Sequence, residues 1–278
     1  MVGRPTQQND HPFQRSESRK SLRVGIKLNL KKMKFTIFLL LVFSIVSCNN
    51  SDKIKIENYE KIDKILKIVQ QEKVFTKEEQ QALTPDNVLE RMKKGNGRYK
   101  TNSLTARNHS AQARNSVSGQ YPKAVVLSCL DSRVPVEDVF DKGIGDLFVA
   151  RVAGNFANPE ILGSMEYACK VAGAKVILVM GHQHCGAVKA SIDNVQLGNI
   201  ASLTNGIQPA VEMAVDYTGE KSSKNDPYVH YVSKKNVLHT VDFIRKNSPI
   251  LKEMEDNGEI KIVGAMYQME TGNVEFYN

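Results

Sequence analysis

The stretch that decides the fold is AVVLSCLDSR (residues 124–133), answered further along the chain by VILVMGHQHCGAV (residues 176–188). Each half begins as an apolar run rich in β-branched residues, which is typical of a buried strand in a parallel sheet. Each run then stops at side chains that bind metals. Cys129 ends the first run, and His182 and Cys185 follow the second. Two thiolates and one imidazole are the ligand count of a catalytic zinc site with an open fourth position.

Strands and helices alternate from residue 123 onward, which predicts a parallel sheet covered by helices. A turn at residues 271–273 then favours an antiparallel edge strand at the end of the chain. The predicted fold is therefore α/β, with a mostly parallel sheet of four strands, an antiparallel edge strand and flanking helices. The predicted strands are residues 123–128, 146–152, 175–180, 259–268 and 274–277, and the predicted helices are residues 136–141, 159–172, 186–193, 207–217 and 229–246.

Ahead of the sheet, the pattern predicts two helices and a crossing segment. Apolar residues recur at helical spacing within residues 54–72, which indicates an amphipathic helix. A second helix begins at Thr84, where a hydroxyl cap is followed by Pro85 at the first helical position, and it is expected to end near Gly95. The polar residues 100–120 predict an extended crossing over the surface.

The positive charge of the chain is concentrated at its start. The formal net charge is +8, and residues 1–47 hold nine Lys and Arg against two acidic residues, a net of +7 that leaves +1 for residues 48–278. A nearly neutral domain lacks the basic surface on which nucleic-acid binding depends. The sequence therefore argues against DNA or RNA as a partner.

This basic segment has the organisation of an export signal. Lys31, Lys32 and Lys34 precede an apolar run at residues 35–46, which is short for a membrane span and typical of a signal-peptide core. The run leads into Ile-Val-Ser-Cys, ending at Cys48, which resembles the lipobox of bacterial lipoproteins. In that family the signal is cut before the Cys, which is then acylated. An ordinary signal peptide or anchor with an incidental Cys is the alternative.

Three segments follow from this interpretation. Residues 1–47 are an upstream extension and a lipoprotein-type signal peptide, residues 48–83 are a tether and an N-terminal helix, and residues 84–278 are the zinc domain. The mature protein is expected to be exported and held by lipid at Cys48 on a bacterial membrane, facing the periplasm or the cell surface.

Cysteine usage fits a metal site better than a disulfide framework. The chain has four cysteines. If Cys48 carries lipid while Cys129 and Cys185 bind metal, only Cys169 remains, and it has no partner for a disulfide. The alternative is a non-enzymatic zinc or thiol protein in which Cys129 and Cys185 form a redox pair.

Two charged residues, Asp131 and Arg133, follow Cys129 at every second position. Alternate side chains of an extended segment point to the same side, so the acid is expected near the open zinc position. Arg133 is suited to hold Asp131 ionised through a bidentate pair. Zinc makes bound water acidic enough to supply hydroxide near neutral pH, and Asp131 is the candidate acceptor of a hydrogen bond from it. A structural ion pair is the alternative.

The pattern C-x-D-x-R at residues 129–133, followed by H-x-x-C at residues 182–185, resembles the β-class carbonic anhydrases. The resemblance covers residues 84–277 and includes Gly-Asn-Gly-Arg-Tyr, Arg-Val-Ala-Gly-Asn and Glu-Tyr-Ala at residues 95–99, 151–155 and 166–168. It implies a zinc lyase that reversibly hydrates CO2 to bicarbonate and a proton by zinc-hydroxide attack. It also implies one Zn2+ per subunit on Cys129, His182 and Cys185, with Asp131 and Arg133 as the catalytic dyad.

The resemblance further implies a substrate pocket and an assembly. Gln120 matches a family glutamine that reaches the site from a partner subunit, and Phe148, Ala153 and Tyr167 fall where the family lines its apolar CO2 pocket. The family forms homodimers, often paired into tetramers, with N-terminal helices packed on the partner. It also has an open form and a closed form in which the Asp takes the fourth zinc position. A related hydrolase of COS or CS2 stays possible, because its ligands would be identical.

The sequence departs from the family pattern at three positions near the site. Leu130 stands where Ser is usual, and its side chain is expected to point away from the metal. Val152 replaces a usual Asn, which leaves open how the backbone around Gly154 is hydrogen-bonded. His184, between two ligands, is interpreted as a surface residue, with an alternative ligand and a proton relay as the other readings.

Overall fold

A five-stranded sheet forms the centre of the part of the chain that the structure describes. This computed structural model describes residues 72–277 together with residues 58, 59 and 61. The predicted export signal, Cys48 and most of the helix predicted at residues 54–72 lie outside the described residues. The elements below belong to a compact unit formed by residues 62–278. Among the described helices, none has the length and apolar character that a membrane crossing requires.

The order of the strands in the sheet is β2-β1-β3-β4-β5. The first four are mutually parallel, and β5 pairs antiparallel with β4, which confirms the predicted α/β class. Ser128 at the end of β1 pairs with Arg151 of β2 and with Met180 of β3, so these carboxyl ends lie at one edge of the sheet. The strands are β1 (Ala124–Ser128), β2 (Leu147–Arg151), β3 (Val176–His182), β4 (Lys261–Tyr267) and β5 (Val274–Tyr277).

Helices precede, connect and cover the strands. Within the described residues they are α1 (Lys77–Gln81), α2 (Pro85–Lys100), α3 (His109–Asn115), α4 (Val136–Val139), α5 (Pro159–Glu166), α6 (Gly186–Ile192), α7 (Ile200–Glu212), α8 (Asp226–Asn247) and α9 (Pro249–Asp256). Helix α5 continues into a π-helical turn, Tyr167–Val171, which completes the helix predicted at residues 159–172. The packing of N-terminal helices on a partner subunit stays a prediction.

Several predicted boundaries were wrong. Residues 100–120 were predicted to be extended but contain α3. The side chain of Asn108 caps this helix by accepting a hydrogen bond from the N–H of Ala111. Helix α2 passes through Gly95, where a Cβ would lie 1.9 Å from the carbonyl oxygen of Phe140. That glycine permits close packing and does not end the helix. Helix α7 begins and ends earlier than the helix predicted at residues 207–217, and Pro209 lies inside it.

Strand β1 is buried along its whole length, and its alternating side chains divide the core in two. Val125 and Leu127 pack on the face covered by α5, α8 and α9, whereas Ala124 and Val126 pack on the face covered by α2 and α4. Full burial of a Val or Leu side chain contributes about 1.5–3 kcal/mol. Strand β1 is thus held from both faces, which fixes the backbone at Cys129, one residue beyond its end.

A third cluster of apolar side chains lies beside the carboxyl ends of β1 and β3. It includes Cys129 and Cys185 and is formed by side chains of α6, α7 and α8, among them Val188, Ile207, Ala210, Val229 and Val232. Water is therefore excluded from one side of the edge where the predicted ligands lie.

Candidate metal centre

The three predicted ligands lie together in the structure. Cys129 follows β1, His182 is the last residue of β3, and Cys185 directly precedes α6. Their ligand atoms lie within 4.8 Å of one another, with 3.9 Å between the two Sγ atoms, and all three residues are buried. The two strands are neighbours and parallel, so their carboxyl ends bring the side chains to one place. Functional sites of open parallel sheets form at this edge.

The His182 ring is oriented as a metal ligand. Its Nδ1 lies 2.8 Å from the carbonyl oxygen of Gln183, and a carbonyl only accepts, so Nδ1 carries the proton. The lone pair is then on Nε2, which is buried and has no hydrogen-bond partner among the described residues. A buried polar atom without a hydrogen-bond partner lowers the stability of the folded protein. A metal ion held with Cys129 and Cys185 would satisfy it, and soft thiolates with an imidazole are a donor set that suits Zn2+.

The two thiols differ in their electrostatic environments. The contact with Cys185 and the N–H of Gly154 lower the pKa of Cys129 in spite of its burial. The Gly154 N–H lies 3.3 Å from Cys129 Sγ. The same Cys129 contact, together with burial, raises the pKa of Cys185. Two buried thiols this close do not readily ionise together without a cation, and metal binding releases both protons.

Asp131 and Arg133 form a bidentate pair beside the ligands. Arg133 Nε donates to Asp131 Oδ1 at 3.0 Å and Nη2 donates to Oδ2 at 2.7 Å, while the Arg133 backbone N–H donates to Oδ1 at 2.9 Å. The Arg133 hydrogen bonds lower the pKa of Asp131 to about 2. Asp131 Oδ2 lies 3.9 Å from His182 Nε2. An ionised carboxylate therefore faces the ligand group.

Comparison with known proteins gives the family of this chain. A family model described as carbonic anhydrase matches residues 124–274, which include the three predicted ligands and the Asp131–Arg133 pair. The chain belongs to the carbonic anhydrase family. Carbonic anhydrase 2 of Mycobacterium tuberculosis is 32% identical over 187 residues, which are 65% of this chain and 87% of that protein.

Two solved structures share the fold of this carbonic anhydrase. The β-carbonic anhydrase CcaA matches with a TM-score of 0.55 at 24% identity, over 68% of this chain and 87% of that one. A tetrameric β-carbonic anhydrase of Sordaria macrospora matches with a TM-score of 0.53 at 20% identity, over 60% of this chain and 85% of that one. The fold is that of the β class, and the enzyme is a zinc-dependent carbonic anhydrase that interconverts CO2 and bicarbonate.

Arg151 is a residue of this carbonic anhydrase whose role the sequence did not reveal. Its Nε donates to the carbonyl oxygen of Cys129 at 3.0 Å, and its Nη2 donates to the carbonyl oxygens of Asp131 at 2.7 Å and Val134 at 3.0 Å. One guanidinium thus holds the backbone that carries Cys129 and the Asp131–Arg133 pair. The signals available in the sequence were its place near the end of the strand predicted at residues 146–152 and in the motif at residues 151–155.

Replacing Arg151 by Lys is expected to lower kcat for CO2 hydration by about tenfold to a hundredfold, because a single ammonium cannot span three carbonyls and the dyad backbone shifts. Stopped-flow assays on zinc-loaded protein measure this. Arg91→Lys is the matched control, since Arg91 is exposed on α2 and its guanidinium makes no contact with the site. Wild-type kcat in Arg151→Lys would mean that the backbone of residues 129–134 keeps its conformation without this guanidinium.

The residues predicted to line the CO2 pocket do not all lie together in a single chain. The rings of Phe148 and Tyr167 lie edge to face, 6.3 Å apart, and line a cavity of about 470 Å³ along β2 and α5. Ala153 is half-buried beside Gly154, and Gln120 is exposed; neither lines this cavity. Half of the Tyr167 surface is exposed as well.

The three departures from the family pattern are accommodated in different ways. The side chain of Leu130 is 67% exposed, as expected for one directed away from the metal. Val152 packs against the main core cluster and supplies no hydrogen bond from its side chain. His184 has a positive φ of 54° and lies partly exposed, with Nδ1 3.3 Å from Asp226 Oδ1, which fits its interpretation as a surface residue.

The remaining cysteine of the described residues, Cys169, lies away from the metal centre. It is buried in the π-helical turn after α5, and burial raises its pKa to about 12. A thiol that stays protonated is a poor nucleophile and a poor ligand. Cys169 therefore has a packing role, and Cys129 and Cys185 are the two cysteines suited to bind metal.

Proposed function

We propose that this carbonic anhydrase works through Asp131 and Arg133 at a zinc ion held by Cys129, His182 and Cys185. The observation that carries this proposal is the ionised Asp131 carboxylate, which Arg133 fixes 3.9 Å from the Nε2 of His182, an atom with no hydrogen-bond partner in the described part of the chain. Zinc bound there acidifies water, so that hydroxide is available near neutral pH.

The geometry gives the two oxygens of Asp131 different roles. A carboxylate offers about four lone-pair sites. Two hydrogen bonds from Arg133 occupy those of Oδ1, and one occupies a site of Oδ2. The remaining acceptor site is therefore on Oδ2, which is also the oxygen nearer to His182. Oδ2 orients the attacking nucleophile by accepting its hydrogen bond, and the pKa of about 2 keeps Asp131 an acceptor at working pH.

The pairing of Asp131 with Arg133 corresponds to the open form of the family. Arg133 lies at the surface with more than half of its side chain exposed, and Leu130 beside it is exposed too. The site therefore opens toward solvent at the dyad, where bicarbonate leaves and a proton passes to buffer. The apolar cluster of α6, α7 and α8 keeps water from the opposite side.

The CO2 pocket is proposed to be completed by a second subunit. Phe148 and Tyr167 offer apolar ring surface, Ala153 lies between these two residues in the chain, and Gln120 is exposed and free to reach a neighbour. The exposed ring of Tyr167, at the cavity that it lines with Phe148, favours a homodimer, itself able to pair into a tetramer. The tetrameric β-carbonic anhydrase of Sordaria macrospora supports such an assembly.

A substrate comparison separates hydration of CO2 from the related hydrolase reactions. Purified full-length chain, loaded with zinc, is assayed on CO2, COS and CS2 under the same conditions. The proposal expects the highest kcat/KM with CO2, because the chain belongs to the carbonic anhydrase family. Turnover of COS or CS2 without acceleration of CO2 hydration would contradict the proposal and assign the chain to the hydrolases.

The enzyme is also proposed to be a lipoprotein, exported and anchored through Cys48 to a bacterial membrane, facing the periplasm or the cell surface. This proposal rests on the sequence alone, namely the basic flank, the apolar run at residues 35–46 and the Cys that follows it. Cys48→Ala is expected to abolish labelling by a radioactive fatty acid and to move the chain out of the membrane fraction. Cys169→Ala is the control. An unlabelled wild-type chain would contradict the lipid anchor.

A further inference from the structure

Gly154 contacts the metal centre through its backbone. Its N–H donates to Cys129 Sγ at 3.3 Å. It has a φ of 82°, and the N–H of Asn155 donates to the carbonyl oxygen of Val152 at 2.9 Å, so residues 152–155 form a tight turn with glycine in third place. Turns of types I and II differ in the direction of the peptide plane that carries this N–H. Whatever holds the turn therefore decides whether the N–H points at the thiolate.

Asn236, in the middle of α8, holds the other side of Gly154. Its Nδ2 donates to the carbonyl oxygen of Gly154 at 2.7 Å, and Asn236 is only 1% exposed. The orientation of the amide follows from chemistry, because a carbonyl requires a donor. From α7, Ile207 packs so closely that a Cβ on Gly154 would lie 2.3 Å from its Cδ1. The Gly154 backbone is thus clamped between two helices.

The departure at Val152 makes this contact important for the chain. The resemblance expects Asn at that position, but Val152 turns an apolar side chain into the core. Among the described residues, Asn236 supplies the side-chain hydrogen bond to the Gly154 backbone. It is 82 positions away along the chain, on a helix that supplies no ligand.

We infer that Asn236 is a positioning residue for the metal thiolate: through Gly154 it directs an N–H at Cys129 Sγ and so strengthens zinc binding. A hydrogen bond to the charged form of a group stabilises that form, and zinc binds the thiolate. Groups that orient metal ligands typically change metal affinity or activity about tenfold to a hundredfold when removed. This inference rests on the proposed zinc site.

The test measures zinc affinity of the full-length chain by competition with a chromogenic chelator, together with the thiolate-to-cobalt absorption of the cobalt-loaded chain. Asn236→Leu is expected to weaken zinc binding by about tenfold to a hundredfold and to shift the cobalt absorption. Thr240→Val is the matched control, because Thr240 lies one turn further along α8, is equally buried, and its hydroxyl has no partner among the described residues. It is expected to keep wild-type affinity and absorption.

Thermal melts separate positioning from general stability. A variant that melts earlier but keeps wild-type zinc affinity and cobalt absorption would make Asn236 a packing residue and overturn the inference. If Asn236→Leu does not fold, Asn236→Ala, which introduces no new bulk, decides by the same two measurements. A wild-type chain that binds no zinc would overturn the proposed zinc site and this inference with it. If the wild-type chain binds zinc and hydrates CO2 but Asn236→Leu binds zinc equally well, only this inference is overturned.

Discussion

Asp131→Asn is expected to lower kcat for CO2 hydration by about 10²–10⁴-fold while each chain keeps its zinc ion. The amide has the shape of the carboxylate but no charge, so it loses the bidentate ion pair with Arg133. At the position of Oδ2 the variant has either an amide NH2, which donates, or an amide oxygen, which is a weaker acceptor for the hydrogen bond from the nucleophile. Stopped-flow hydration assays and zinc analysis on the same preparation measure the two effects.

The control for this variant is Asp216→Asn. Asp216 is an exposed carboxylate whose oxygen accepts a hydrogen bond from Tyr231, remote from the metal centre, and its loss is expected to leave kcat unchanged. Full activity in zinc-loaded Asp131→Asn would reduce Asp131 to a structural ion pair. Loss of zinc from that variant would instead make Asp131 necessary for metal binding.

Cys185→Ser is expected to weaken zinc binding by more than about a hundredfold and to reduce CO2 hydration to the uncatalysed rate. A serine hydroxyl stays protonated at neutral pH, so the site would lose one of the two anionic ligands that neutralise the metal. Equilibrium dialysis against buffered zinc measures the affinity, and the hydration assay measures the consequence.

Cys169→Ser is the matched control for this second variant, since Cys169 is also a buried thiol but lies in the π-helical turn away from the ligands. It is expected to bind zinc and hydrate CO2 like the wild type. Its free energy of unfolding is expected to be lower, because the substitution buries a hydroxyl in a site shaped for a thiol. Stoichiometric zinc in Cys185→Ser would contradict the assigned ligand set.

Features that depend on local patterns could be predicted from the sequence. The apolar runs of β1 and β3 predict buried parallel strands, and the residues that follow them must then meet at the carboxyl edge, so Cys129, His182 and Cys185 were found together as expected. The Asp131–Arg133 pair followed from alternation along an extended segment, and the structure has it with bidentate geometry.

Features that depend on contacts between distant segments could not be predicted. Arg151 acts on backbone carbonyls 17 to 22 positions away, and Asn236 acts on a carbonyl 82 positions away. Backbone carbonyls carry no residue signature, so no motif marks their donors. Gly95 was taken for a helix end because its packing against the backbone of Phe140 is invisible in a single sequence. The joint pocket of Phe148, Ala153, Tyr167 and Gln120 depends on a second subunit and stays a prediction.

The most direct test of the central claim is CO2 hydration by the full-length chain as zinc is removed and restored, followed at alkaline pH by stopped flow with a pH indicator. The account predicts one zinc ion per chain, rapid hydration that disappears when a chelator strips the metal, and recovery when zinc is added back. A chain that holds stoichiometric zinc at Cys129, His182 and Cys185 and yet fails to accelerate CO2 hydration would contradict it.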